Sequence, residues 1–360
     1  MIPPAPLTGR TVVDLSQYIA GAVCGQLLAD FGADVHKVEP RGGDPSRALP
    51  GTRFGSIYYR SFNTGKTTRA LDLRSPDGRA RLDALLADAD ALVMNFGLRT
   101  LETLGLTWEA LHRAHPHLVV TLVSAYGADD PRTSFDSIAQ AVSGYALTNA
   151  AEDGTPRISA GWPTDVISGT YAAFATAMAL ADRDRATGVL VDVPMHDVAM
   201  IALVGPAVLA AAEEGTFRPG TGNRDAAASP SNVYRCRDGH AYIYAGLDKH
   251  WARLRPLVGG PAGTAAERLA DAEGYDRVVE AWTARHPVDE VCLRMAELGI
   301  PAGPVRDPVT ALREVARERP GAVVAATAEG EAVPQFPVTF CGARPVRRPA
   351  PPRPPMEESR

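Results

Sequence analysis

Asp165 is the residue whose type and place in this 360-residue chain could do chemistry by itself. It stands in the stretch Gly161-Trp-Pro-Thr-Asp165-Val-Ile-Ser-Gly169-Thr-Tyr171. Thr164 can serve as an N-cap after the Trp-Pro turn, the run that follows is Ala-rich and free of proline, and Thr187-Gly188 supplies a stop. One long helix is therefore predicted, with Asp165 in its first turn. A carboxylate at that place faces unpaired N–H groups and the positive end of the helix dipole, which favour its ionised form. Gly169, one turn on and on the same face, has no side chain and leaves room for a reactant to approach. A ready anion in an open position can act as a nucleophile or a base. It can also do no more than stabilise the helix by ~0.3–1 kcal/mol, the commonest role of an acidic residue there.

Polar residues gather elsewhere in a pattern that only a fold explains. Thr11 to Leu15, Ala33 to Glu39, Thr68 to Leu73, Ala91 to Asn95 and Leu118 to Ser124 read as short apolar strands. Between them lie helical stretches at Ala20 to Phe31, from Pro76 to Ala87 after Ser75 as N-cap, and at Trp108 to Arg113. Strands alternating with helices predict a parallel sheet covered on both faces, an α/β Rossmann-like doubly wound domain. In such sheets ligands bind beyond the carboxyl ends of the strands. Those ends carry Ser16-Gln17, Pro40-Arg41-Gly42-Gly43-Asp44, Asn95 and Ser124-Ala-Tyr126-Gly127. No GxGxxG follows the first strand, which speaks against a nicotinamide cofactor.

Composition narrows the classes further. With 45% hydrophobic and 22% charged residues the chain is an ordinary globular protein, long enough for one large domain or two moderate ones. A formal charge of −5 argues against non-specific nucleic-acid binding, so an anionic ligand needs a local cluster of bases. Cys24, Cys236, Cys292 and Cys341 form no CxxC and read as reduced thiols of a cytoplasmic protein without a signal peptide. Val198 to Ala212, interrupted by Gly205-Pro206, reads as a core helix too short to span a bilayer. His112, His115 and His117 match no zinc spacing, so no metal is expected.

The motifs taken together resemble the class III CoA-transferases, the family of formyl-CoA and carnitine CoA-transferases. The resemblance is carried by Asp165-x3-Gly169-x-Tyr171-Ala-Ala173, Arg185-Ala-Thr-Gly188 and Val191-Asp-Val193-x-Met195-x-Asp197. It extends to Leu28-Ala-Asp-Phe-Gly32-Ala-Asp-Val-His-Lys37-Val-Glu39 with Gly43-Asp44-x-x-Arg47, to Asn63-Thr-Gly-Lys66, and to Asn95-Phe96 with Leu104-Gly105. It implies that Asp165 is the nucleophile of a CoA transfer through aspartyl anhydride and aspartyl-CoA thioester intermediates. The substrate would be coenzyme A as its acyl thioester, with no tightly bound cofactor. The CoA site is expected at Ala20, Arg41, Lys66, Asn95, Phe96, Gly97, Arg99 and Tyr126, with Lys66 and Arg41 foremost for the phosphates, and Arg47 as a further base.

Ser134-Phe135-Asp136-x-x-Ala-Gln140-Ala-x-Ser143-Gly144 resembles the block that precedes the family's nucleophile helix. Related racemases carry Gly-His-Asp there, and Phe135 in place of that histidine favours transfer over racemisation. Asp136 is a second candidate catalytic residue, able to orient an acceptor or exchange a proton, or else a cap for its own helix. A large domain over 1–200, a smaller α+β domain over 215–325 with a hairpin turning at Asp238-Gly239, and a C-terminal segment over 326–360 returning to the large domain or to a partner subunit are expected. The glycine-rich loop of several relatives is replaced by Asn223-Arg-Asp-Ala-Ala-Ala-Ser229, which should be stiffer. The partners implied are an acyl-CoA, a small carboxylic acid and a second copy of the chain in an interlocking homodimer, with no membrane and no nucleic acid. The alternatives are an acyl-CoA racemase or isomerase on this fold, and a non-catalytic CoA-binding member.

Overall fold

The computed structural model describes residues 5–182, 186–217, 222–345 and 347–354; Arg185 of the motif block and the last six residues of the tail lie outside them. The chain divides into two compact units. The larger draws on residues 1–145, 158–216 and 315–360, and the smaller on 146–157 and 217–314. The division thus differs from the sequence reading at both ends of the small unit, which takes in 146–157 and gives up 315–325.

Six strands build the sheet of the large unit: β1 (Thr11–Asp14), β2 (Asp34–Glu39), β3 (Thr67–Ala70), β4 (Ala91–Met94), β5 (Val119–Leu122) and β6 (Val189–Asp192). They pair in the order β3-β2-β1-β4-β5-β6, every pair parallel. This is the doubly wound sheet expected from the strand–helix alternation. Side chains alternate across it, so neighbours such as Val12 and Val13 serve opposite cores. Val12, Val35, Val93 and Val119 pack on one face with Cys24 and Leu28 of helix α1 (Ala20–Asp30) and with Ala172 and Ala173. Val13, Val38, Leu92 and Met94 pack on the other with Leu82 and Leu86 of helix α2 (Pro76–Ala87). Ser75 caps α2 by accepting the Gly78 N–H at 3.0 Å, as its sequence predicts.

Helix α3 (Leu98–Leu104) follows β4, and α4 (Asp136–Val142) precedes the long α5 (Pro163–Ala181). Helix α6 (Met195–Glu214) has the length and apolarity of a bilayer span by composition alone, and Pro206 lies inside it. It is not the core helix that its sequence suggests. Only Met195, Ala199 and Val204 are buried, while Ile201 and Leu209 are 67% and 65% exposed. One side packs on α4 and α5 and the rest is an open apolar face.

The C-terminal segment straps the large unit of its own chain. Arg347 makes a bidentate pair with Asp30 at 2.6–2.9 Å, and the carbonyl oxygens of Arg348 and Pro352 accept from Gly65 and Thr68 beside β3.

In the small unit the hairpin forms as expected, Ser231–Arg235 against His240–Tyr244, and Ala302–Pro304 adds a third strand. Tyr234, Trp251, Trp282, Val279 and Met295 fill its core. Fully buried Arg268 donates to the carbonyl oxygens of Ser229, Gly263 and Gly246. The loop over 222–229 is tied within this unit by Arg224 to Asp276 at 2.6 Å and by the Asp225 N–H to the Ser231 carbonyl at 2.9 Å.

Candidate active site

The carboxyl ends of β1, β4 and β5 and the starts of α1 and α5 meet around one cavity of about 340 Å³. Gln17, Tyr18, Ala20, Asn95, Phe96, Gly97, Phe135 and Asp165 line it. Asn95 fastens two of those strand ends together. Its side-chain oxygen accepts the Gln17 N–H at 2.9 Å, and its amide donates to the Gln17 carbonyl at 2.8 Å. The Gln17 side chain has no hydrogen-bond partner among the described residues and is left facing the cavity.

Asp165 does sit in the first turn of its helix, but the cap differs from the expected one. Trp162, at φ +56°, is the N-cap, Pro163 is the first helical residue, and the hydroxyl of Thr164 caps nothing in its own helix. The capping acceptor comes from α4. Oδ1 of Asp136 takes the Thr164 N–H at 2.8 Å, the Asp165 N–H at 3.3 Å and the Thr164 hydroxyl, and its Oδ2 takes the Gln140 amide. Asp136 is buried and all its bonds go to the protein, so the favourable helix-end environment expected for Asp165 belongs to Asp136.

The Asp165 carboxylate itself accepts no hydrogen bond from the described residues. Burial, with the Asp136 charge adding to it, raises its pKa to about 7. It is therefore not the strongly ionised carboxylate predicted from its helical position. Desolvation and a like charge outweigh a dipole already used by its neighbour.

Gly169 also has another role than the one predicted. A Cβ there would lie 2.3 Å from the Ala20 carbonyl oxygen and 2.6 Å from Val23 Cβ, so the missing side chain lets α1 cross α5 in close contact. That contact brings the uncapped first turn of α1 to the cavity holding Asp165.

A second cavity of about 390 Å³ shares Gln17, Phe96 and Thr100 with the first and continues along the strand ends. Arg41 and Arg74 line it, both exposed and without a side-chain partner among the described residues, together with Leu15, Leu73 and Leu104. Arg74 was not singled out from the sequence, although it follows a strand end, as Arg41 does.

Lys66 is not at this surface. Its ammonium is wholly buried and gives all three protons to the protein: Asp14 Oδ2 at 2.7 Å, the Ala22 carbonyl at 2.8 Å and Asn63 Oδ1 at 2.8 Å. No proton remains for a phosphate, which corrects the expected phosphate contact. Burial, reinforced by Lys37, lowers its pKa to about 8 against the pull of Asp14. Arg47 is likewise committed, forked onto Glu39 at 2.7–2.8 Å and stacked 3.5 Å over Tyr59. Arg99 is exposed on α3 and lines neither cavity. Tyr126 lines neither as well, its ring lying 3.8 Å from the Arg132 guanidinium and 5.4 Å from His196. His112 stacks on Trp108 at 4.6 Å, and no group of three metal-binding side chains occurs among the described residues.

The description of CoA-transferase family III matches residues 7–357. The chain belongs to that family. It is 34% identical over 319 residues to a succinyl-CoA–D-citramalate CoA-transferase of Chloroflexus aurantiacus, covering 84% of this chain and 78% of the relative. It is 33% identical over 319 residues to a succinyl-CoA:mesaconate CoA-transferase of Haloarcula hispanica, covering 82% and 79%. Among solved structures, a CaiB/BaiF family protein from Brucella suis superposes with a TM-score of 0.85 at 26% identity, over 98% of this chain and 97% of that one. Family membership makes the chain a CoA-transferase, an enzyme whose substrates are CoA thioesters.

Proposed function

We propose that this family III CoA-transferase moves CoA from an acyl thioester to a free carboxylic acid with Asp165 as covalent nucleophile. The observation that carries the reading is a carboxylate without hydrogen-bond partners in one cavity, joined through Gln17 and Phe96 to a second cavity walled by two unpaired arginines. A phosphorylated nucleotide seated at Arg41 and Arg74, with its pantetheine arm along Phe96 and Gly97, brings its thioester to Asp165. Lys66 and Asp136 act behind the site, one holding β1 to α1 and the other fixing the start of α5.

In the first step the ionised carboxylate attacks the thioester carbonyl carbon. The C–S bond breaks, leaving a mixed aspartyl-acyl anhydride and CoA thiolate. The thiolate attacks the aspartyl carbonyl, the first acid leaves as its carboxylate, and an aspartyl-CoA thioester remains. An acceptor carboxylate then re-forms an anhydride and expels the thiolate, which takes the new acyl group and frees Asp165. No net proton moves, and water must be kept away, a role suited to the aromatic rings at the cavity. The uncapped N–H groups of α1 and the Gln17 amide are the donors available for the oxyanions. A carboxylate is a weak nucleophile, and holding it beside the thioester compensates by several kcal/mol. The test is to follow label from a free acid into acyl-CoA; release of free CoA without labelled thioester would contradict transfer.

Removing either base should weaken CoA binding by roughly 1–3 kcal/mol, the scale of a charge-assisted hydrogen bond, and the binding should be salt-sensitive. Calorimetric titration of CoA into Arg41→Ala and Arg74→Ala checks this, and unchanged affinity in both would move the nucleotide elsewhere.

A homodimer is also part of this reading. Phe174 and Met178 of α5 are 64% and 52% exposed, and Ile201 and Leu209 of α6 are as open, large apolar side chains of two packed helices left facing solvent. A second copy of the chain, cytoplasmic like the first, would cover it. Light scattering at micromolar concentration should give twice the mass of one chain, and a monomer mass would count against the dimer.

A further inference from the structure

The wall around Asp165 bears on which acids the enzyme handles, an inference that rests on the transferase reading above. Tyr18 and Phe135 line the same cavity as Asp165, with their rings edge to face at 6.0 Å. Both are solvent-facing for aromatic residues, 39% and 61% exposed. Tyr18 is held at φ +61°, a conformation disfavoured for a residue with a bulky side chain, and the adjoining Gln17 backbone is clasped by Asn95 on both sides. The strained placement keeps the Tyr18 ring at the cavity.

Charge points the same way. Among the described residues Arg132 is the only basic one lining this cavity, and Asp130 closes it in a bidentate pair at 2.6–3.1 Å. Asp136, behind the wall, and Asp165 in the ionised form that reacts make the surroundings anionic. A second carboxylate on the acyl chain would lose water there, face two aspartates and find no unpaired cation on this wall among the described residues. An apolar tail would lose only water-exposed area against two rings.

We infer that the acyl group transferred by this enzyme is that of an uncharged-tail monocarboxylic acid, packed against Tyr18 and Phe135, and not that of a dicarboxylate such as the names of the Chloroflexus and Haloarcula relatives specify.

Self-exchange tests this without knowing the donor and acceptor pair. Valeryl-CoA is incubated with labelled valerate, and glutaryl-CoA with labelled glutarate; the two chains differ only in a terminal methyl against a carboxylate. The wild type should exchange valeryl at a kcat/KM about tenfold or more above glutaryl, the scale of discrimination an apolar pocket provides. Phe135→Arg, a change at an exposed position, should raise glutaryl exchange about tenfold and lower valeryl exchange. Glutaryl exchange equal to or faster than valeryl in the wild type would overturn the inference and leave the transferase reading standing. Exchange with neither acid, together with an Asp165 that no acyl-CoA labels, would remove both.

Discussion

Asp165→Asn should lose CoA transfer by about 10³-fold or more while gaining stability at alkaline pH. The amide has nearly the same shape, so Arg41 and Arg74 keep their places and CoA should bind as before, yet an amide oxygen is a far poorer nucleophile. The stability change follows from the raised pKa. In the unfolded chain Asp165 ionises in the ordinary carboxylate range near 3.9, whereas in the fold, burial and Asp136 keep it protonated until pH about 7. Between those values the folded state holds the extra proton, so stability falls as pH rises, and above pH 7 the ionised group costs about 2–4 kcal/mol. Asparagine removes that cost. Urea unfolding at pH 8 should show the variant more stable than the wild type by this amount, with the difference gone at pH 4. The same ionisation should appear in the wild-type rate, with kcat/KM rising to a plateau above pH about 7. A variant of unchanged stability at pH 8, or one transferring at near wild-type rate, would contradict the role given to Asp165.

Lys66→Met should cost about 3–5 kcal/mol of folding stability, because it leaves the fully buried Asp14 without one of its two cations and orphans the Ala22 and Asn63 acceptors. Lys37 reaches the same network, donating to the Ser16 carbonyl at 2.7 Å, so Asp14 is not wholly abandoned. The change should therefore appear in urea unfolding rather than in CoA affinity of the folded protein. Unchanged stability with CoA binding weakened tenfold would place the ammonium at the phosphates after all.

Five of the six strands, their parallel arrangement and the helix carrying Asp165 were legible because they rest on local signals, whereas the edge strand Val189–Asp192 was not. Examples are apolar runs such as Val12-Val13 and Leu92-Val93, the Ser75-Pro76 start of α2, and the polar residues at strand ends. What stayed hidden depends on distant partners. Nothing near Asn63-Thr-Gly-Lys66 reveals that Asp14, 52 residues away, claims the ammonium. Gly169 reads as open space until α1 is laid across it, and Asp136 reads as a cap for its own helix when it caps that of Asp165. The apolar run of α6 reads as core because composition cannot say whether a neighbour covers it. Arg74 could have been found by applying to the end of β3 the rule that selected Arg41 at the end of β2.

Covalent capture of Asp165 tests the central claim most directly. The protein is incubated with an acyl-CoA, quenched with hydroxylamine, digested and read by mass spectrometry. The expected result is a hydroxamate on Asp165 alone, formed only when acyl-CoA is present and absent from Asp165→Asn. Transfer of CoA between acids with Asp165 unmodified would contradict the account.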